Sequence, residues 1–117
     1  MTIGIILLAI TQPNAASAKS VTCLYPKDQK LVFEVPKKLT DLPSIDFDYP
    51  TRVTEFSFRD GNLLLIAMDD AERSRIRMVI SAQRDRATGA YVGQIVTDTG
   101  GNQLMFDNNQ VECKVRD

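Results

Sequence analysis

The residues that could carry chemistry are few, and the most informative is one that is missing. The chain has no histidine. That excludes a Ser-His-Asp triad, a Cys-His pair and nearly every zinc hydrolase site. Cys23 and Cys113 are the only thiols; once joined to each other, they leave no thiolate nucleophile. Gly100-Gly101 lies between two apolar runs and reads as a hairpin turn, not as a phosphate cradle opening onto a helix. Carboxylates remain. Asp69-Asp70 with Glu72, and Asp46 with Asp48, have the composition of an acid–base pair or a weak calcium site, but neither has the ligand spacing of a calcium loop. The first group falls in a short link before Arg75, where charges ordinarily serve solubility and turn formation. No catalytic residue, metal site or cofactor is expected.

Arginines form the other constellation. Arg73, Arg75, Arg77, Arg84 and Arg86 fall in one stretch, and on an extended strand Arg75 and Arg77 point to the same face. Guanidinium forks suit carboxylate or phosphate, so this pair is the candidate anion-binding face. The plainer alternative is a solvated strand face laced with salt bridges.

The elements that must position these groups read as strands. Thr22–Tyr25, Lys30–Val35, Val53–Arg59, Asn62–Met68, Arg75–Gln83, Tyr91–Thr97, Gln103–Phe106 and Val111–Val115 are short and rich in β-branched, aromatic or alternating apolar residues. Phe56, Phe58, Ile76, Ile80 and Phe106 are expected to face inward. Asp60-Gly61-Asn62, Thr88-Gly89, Thr99-Gly100-Gly101-Asn102 and Asp107-Asn108-Asn109 separate the runs with residues that tolerate tight hairpins. Short connections make sequential strands antiparallel. The expected fold is all-β: a meander of about eight strands closing into a small barrel, with a β-sandwich as the alternative. Cys23 in the first strand and Cys113 in the last must lie within about 7 Å at Cα to bond, which draws the two ends of the meander together. Gly93, inside a strand, marks a bulge, a bend or a close backbone approach.

One connection is long. Pro36 to Pro50 holds three prolines and the stretch Asp46-Phe47-Asp48-Tyr49. Loops above about twelve residues are often functional, so these four residues form the candidate partner loop. The alternative is a strap in which Phe47 and Tyr49 plug a barrel end.

Ahead of the first cysteine, residues 1–18 carry no charge, contain the apolar run Ile3–Ile10 and end in Ala16-Ser17-Ala18, the small-x-small pattern of a signal-peptidase site. We read 1–18 as a signal peptide and 19–117 as a single domain, secreted or periplasmic and cross-linked by its two cysteines. The apolar run is too short to span a bilayer, so no stable membrane anchor is expected. A formal charge of −1 argues against a dedicated nucleic-acid binder.

In outline, such a chain resembles the periplasmic inhibitors of C-type lysozyme and the smaller lipocalin-like proteins. It has no tryptophan and neither the inhibitory Tyr-x-Ser-Gly element nor the lipocalin Gly-x-Trp signature, so no residue role is carried over. The expectation is a monomeric, non-enzymatic binding or inhibitor-like module for an extracytoplasmic protein. A carrier of a small apolar ligand and a carboxylate-dependent hydrolase are the alternatives.

Overall fold

The computed structural model describes residues 19–38 and 40–117; the expected signal peptide lies outside them. Seven strands form: β1 (Ser20–Tyr25), β2 (Gln29–Glu34), β3 (Thr51–Arg59), β4 (Asn62–Asp69), β5 (Ile76–Arg84), β6 (Tyr91–Asp98) and β7 (Phe106–Arg116). All neighbours are antiparallel, in one sheet of order β2-β1-β7-β6-β5-β4-β3. The first and last strands pair, as the cysteines require. The sheet curls into a half-barrel whose edges, β2 and β3, do not hydrogen-bond to each other. Phe33 of β2 and Phe56 of β3 instead meet edge-to-face across the opening, ring centroids 5.7 Å apart. Among the described residues, no helix is long and apolar enough to cross a membrane.

Side chains alternate across the strands, and one face of each packs into the hollow of the curl. Two layers show how. Val111, Gly93, Ala82, Leu63 and Phe58 stand side by side on β7 through β3, and Asn109, Ile95, Ile80, Leu65 and Phe56 form the layer beside them. Leu63, Leu65, Ile80 and Ile95 are fully buried, each contributing about 1.5–3 kcal/mol by leaving water. Gly93 is required by a close backbone approach: a Cβ there would run into the carbonyl oxygen of Ser81 and the Cα of Ala82 on β5. The ladder between β5 and β6 keeps its register, so Gly93 is not a bulge. Asp60 and Gly61 both take positive φ in the tight β3–β4 turn, as their types allow.

Two parts of the strand pattern differ from expectation. Gln103–Phe106 is not a separate strand, and Asp107-Asn108-Asn109 is not a turn; Phe106 opens a single 11-residue β7 that runs through all three. The residues are poor strand formers by type, but Asn108 and Asn109 pair with Val96 and Ile95, so β6 holds them extended. The second difference is a register shift in the β4–β5 ladder, which makes Arg77 an extra residue on β5. The bulge reverses the alternation at the start of β5: Arg75 is buried and Ile76 is 40% exposed. The inward positions expected of Ile76 and Phe106 are thus corrected to outward ones.

The Pro36–Pro50 connection leaves β2 beside Ser20 and enters β3 beside Asp69, at opposite ends of the sheet. It therefore travels the length of the half-barrel opening, with Ile45 and Phe47 packed against the core.

Candidate functional site

The strand ends near Asp69, Asp98 and Phe106 carry the densest polar chemistry. Asp98, at the end of β6, is fully buried. Its Oδ2 accepts a 2.7 Å hydrogen bond from Arg75 Nε, and its Oδ1 accepts from Arg75 Nη2 at 3.2 Å and from the backbone N–H groups of Gly100 and Met105 at 3.0 Å each. The remaining Arg75 donors reach the carbonyls of Gly101 (2.6 Å), Gly100 (3.0 Å) and Gln103 (3.1 Å). Every guanidinium contact beyond the ion pair falls on the β6–β7 loop. Thr99 N–H also donates to the Met105 carbonyl across the loop's base.

Arg77 joins the neighbouring loop to this one. Its Nε donates to Asp69 Oδ2 at 2.9 Å, and its Nη1 donates to the carbonyls of Asp98 (3.0 Å) and Gly100 (2.8 Å). Asp69 Oδ1 in turn accepts from Ala71 and Glu72 N–H, folding the β4–β5 link. The Arg77 guanidinium lies 5.2 Å over the Tyr49 ring, which ties in the strap.

These contacts set the protonation states. Hydrogen bonding from Arg75, assisted by the Met105 and Gly100 amides, holds the Asp98 carboxyl far below the usual carboxylate range against the opposing effect of burial. The Glu72 amide, the Arg77 side chain and the Ala71 amide likewise hold Asp69 down. Asp98 pushes the Arg75 guanidinium up. Burial raises the phenols of Tyr49 and Tyr25.

The solvent-facing arginine pair read from the alternation is corrected here. Arg75 is buried and Arg77 mostly so, and their donors are engaged by acceptors of the protein itself. In the candidate partner loop, Phe47 and Tyr49 turn toward the molecule while Asp46 and Asp48 face solvent. Phe47 and Tyr49 pack with ring centroids 6.4 Å apart. With Tyr25, Leu31, Met78 and Thr97 these residues border a cavity of about 130 Å³.

The interlocked loops present something the sequence pattern concealed. Leu104, Met105 and Phe106 are 63%, 60% and 55% exposed, three consecutive large apolar side chains where the β6–β7 loop, its backbone held by the Arg75–Asp98 pair, enters β7. Leu104 and Phe106 with Ile76 line a groove of about 440 Å³, rimmed by Glu72, Ser74 and Asn102. The available signal was the run Leu-Met-Phe itself, which reads equally well as a buried strand. Asp98 was also missed, because nothing local distinguishes it from a turn aspartate.

A second groove, of about 690 Å³, lies on the outer face where β1 ends, bordered by Leu24, Tyr25, Val92, Gly93, Gln110 and Glu112. Cys23 and Cys113 sit directly opposite each other on β1 and β7, fully buried, with Cα atoms 3.9 Å apart and their sulfurs bonded. A disulfide of this kind belongs to a non-cytoplasmic environment. No protein-family model, curated protein or solved structure matches the chain.

Proposed function

We propose that this chain is a non-enzymatic, exported binding module that engages an extracytoplasmic protein through the apolar tip formed by Leu104, Met105 and Phe106 with Ile76. The observation that carries this reading is the pairing of a buried ion pair with an exposed apolar run. A buried ion pair is an inefficient way to gain stability, since apolar residues of similar volume often serve as well; one attested use is to specify a single conformation. Here that conformation holds three apolar side chains out of the core. Exposed runs of this kind mark interaction sites in soluble proteins. Covering the three, each a little over half exposed, would return at most about 1.5–3 kcal/mol each, and a loop that is already ordered loses little of that to ordering.

The alternatives draw less support. A carrier needs a hollow interior, and the hollow of the curl is filled by Leu63, Leu65, Ile80 and Ile95; the groove at Gly93 is on the outer face. A carboxylate hydrolase needs an acid that keeps its proton near neutrality, whereas Asp69 and Asp98 are both pushed the other way.

The test is capture of extracytoplasmic proteins by the immobilised residue 19–117 domain, beside a Leu104→Ser/Phe106→Ser variant and a Val32→Ser control on a distant exposed position. A partner retained by wild type and control, and weakened at least tenfold in the double variant, is the expected result. Equal retention by all three would overturn the reading. Intact mass of the exported protein should begin at Lys19 and show free thiols only after reduction.

A further inference from the structure

The half-barrel has a third open edge, inside the sheet. β1 pairs with β7 only as far as Leu24 opposite Glu112, and the chain then turns away through Pro26, Lys27 and Asp28. β7 continues for six residues beyond that pair, Phe106 to Val111, with β6 on one side and, among the described residues, no strand on the other. Which backbone groups face that open side follows from the ladder. Met105 O accepts from Thr99 on the β6 side. The 3.9 Å Cα separation of Cys23 and Cys113 is the close spacing of a non-hydrogen-bonded pair, so Cys113 also directs its polar groups to β6. Odd-numbered residues of β7 thus bond to β6. Phe106, Asn108 and Gln110 direct their N–H and C=O groups into the open edge.

The other two edges carry the features that blunt strand addition: β3 has a bulge between Val53 and Glu55 with Arg52 and Glu55 beside it, and β2 carries Lys30 and Glu34. The Phe106–Val111 edge has no bulge, proline or lysine. It begins at the apolar tip and ends at the groove bordered by Leu24, Val92 and Gln110.

We propose that this edge accepts an extended segment of the partner protein as an added strand, and that the segment alternates apolar and basic side chains. This rests on the protein-binding reading above and specifies its mode. Strand addition supplies backbone hydrogen bonds for affinity and side-chain contacts for specificity. The basic character follows from charge. Asp107 stands on the inner face of the edge and forms no ion pair among the described residues, whereas Phe106, Leu24 and Val92 offer apolar contacts on the outer face. Glu72 and Glu112 are likewise unpaired and add a general attraction for cations, and the one cation lining either groove, Arg75, is already neutralised by Asp98. A second copy of this chain is the poorer occupant, because self-pairing about Asn108 would bring the two Asp107 carboxylates onto the same face of adjacent strands.

The test uses an eight-residue peptide of alternating valine and lysine, its valine–glutamate counterpart, and the Asn108→Pro variant. Proline at 108 removes an N–H aimed at the open edge and leaves the bonds to β6 in place, so the domain should melt above Asn109→Pro, which removes a bond to β6. The lysine peptide should slow amide exchange at Phe106, Asn108 and Gln110, bind at least tenfold more weakly to Asn108→Pro, and weaken with added salt. No binding, equal binding of the glutamate peptide, or indifference to Asn108→Pro would overturn the proposal. So would concentration-dependent self-association, seen by sedimentation, that protects the same amides. In the capture experiment, a partner lost by the tip variant but kept by Asn108→Pro would refute strand addition while leaving the tip as the binding surface. A partner kept by both variants would refute the tip reading as well.

Discussion

The molecule is cross-linked twice, by sulfur between β1 and β7 and by charge at its loop end, and the two links act on different states of the chain. Cys23 and Cys113 bridge strands that already pair along five positions, so the bond adds little to the definition of the native backbone there. Its effect falls mainly on the unfolded chain, where it closes a loop of 90 residues. The Arg75–Asp98 pair does the opposite. Between Thr99 and Met105 no ladder defines the backbone, and the carbonyls of Gly100, Gly101 and Gln103 are held by a guanidinium instead. A regular sheet specifies its own geometry; an irregular loop that must display apolar groups needs a polar frame.

Substitutions can separate the two links. Replacing both cysteines by alanine should cause the largest loss, about 4–5 kcal/mol in the simple chain-entropy account, read as a fall in the urea midpoint. The same variant should leave amide exchange at Gly100 and Met105 close to wild type under native conditions. Acceleration there would mean that the two cross-links are not separable. Asp98→Ala should cost about 3 kcal/mol, because it leaves the Arg75 charge buried without its partner. Its signature is selective: fast exchange at Gly100 and Met105, with β1 and the C-terminal half of β7 still protected.

Acid should act on the ionic link and not on the covalent one. Asp98 and Asp69 have folded-state pKa values depressed below those of the unfolded chain. The unfolded state therefore binds protons first as pH falls. The stability these groups contribute is complete above an unfolded-state pKa of about 4 and is lost as pH drops through that value toward the folded-state pKa. Denaturant midpoints measured from pH 7 down to pH 2 should fall in that window, and Asp98→Asn should flatten the fall. An unchanged slope in the variant would mean that other carboxylates govern acid unfolding. The smallest effect on stability belongs to the tip itself. Phe106→Ser should stay within about 0.5 kcal/mol of wild type while weakening partner capture, which separates the frame from what it displays.

Much of the fold was legible because a strand's period of two is a local property. Leu31 and Phe33, and Met78, Ile80 and Ala82, alternate inward as their spacing requires, and Asp60-Gly61 makes the turn its residue types favour. The pairing of β1 with β7 was legible too, because two cysteines can bond only where two strands meet. The candidate site was much less so. Asp46, Phe47, Asp48 and Tyr49 read as a unit, yet the structure divides them, with the aromatic rings turned in and the carboxylates out.

By itself, then, the sequence determined an all-β chain, most of its strands and turns, and the cross-link that joins its ends, since each depends on neighbours in the chain or on the only available bond. Tertiary structure decided the rest. One extra residue at Arg77 inverted the start of β5, turning Arg75 in and Ile76 out. Pairing with β6 drew Asp107, Asn108 and Asn109 out of a turn and into a strand. The outward placement of Leu104, Met105 and Phe106 rests on Asp98 and on Arg75, 23 positions earlier. A local pattern can assign a face to each residue of a regular strand. It cannot say which buried charge will find its partner, because that energy exists only once distant segments have been brought together in a water-excluding core.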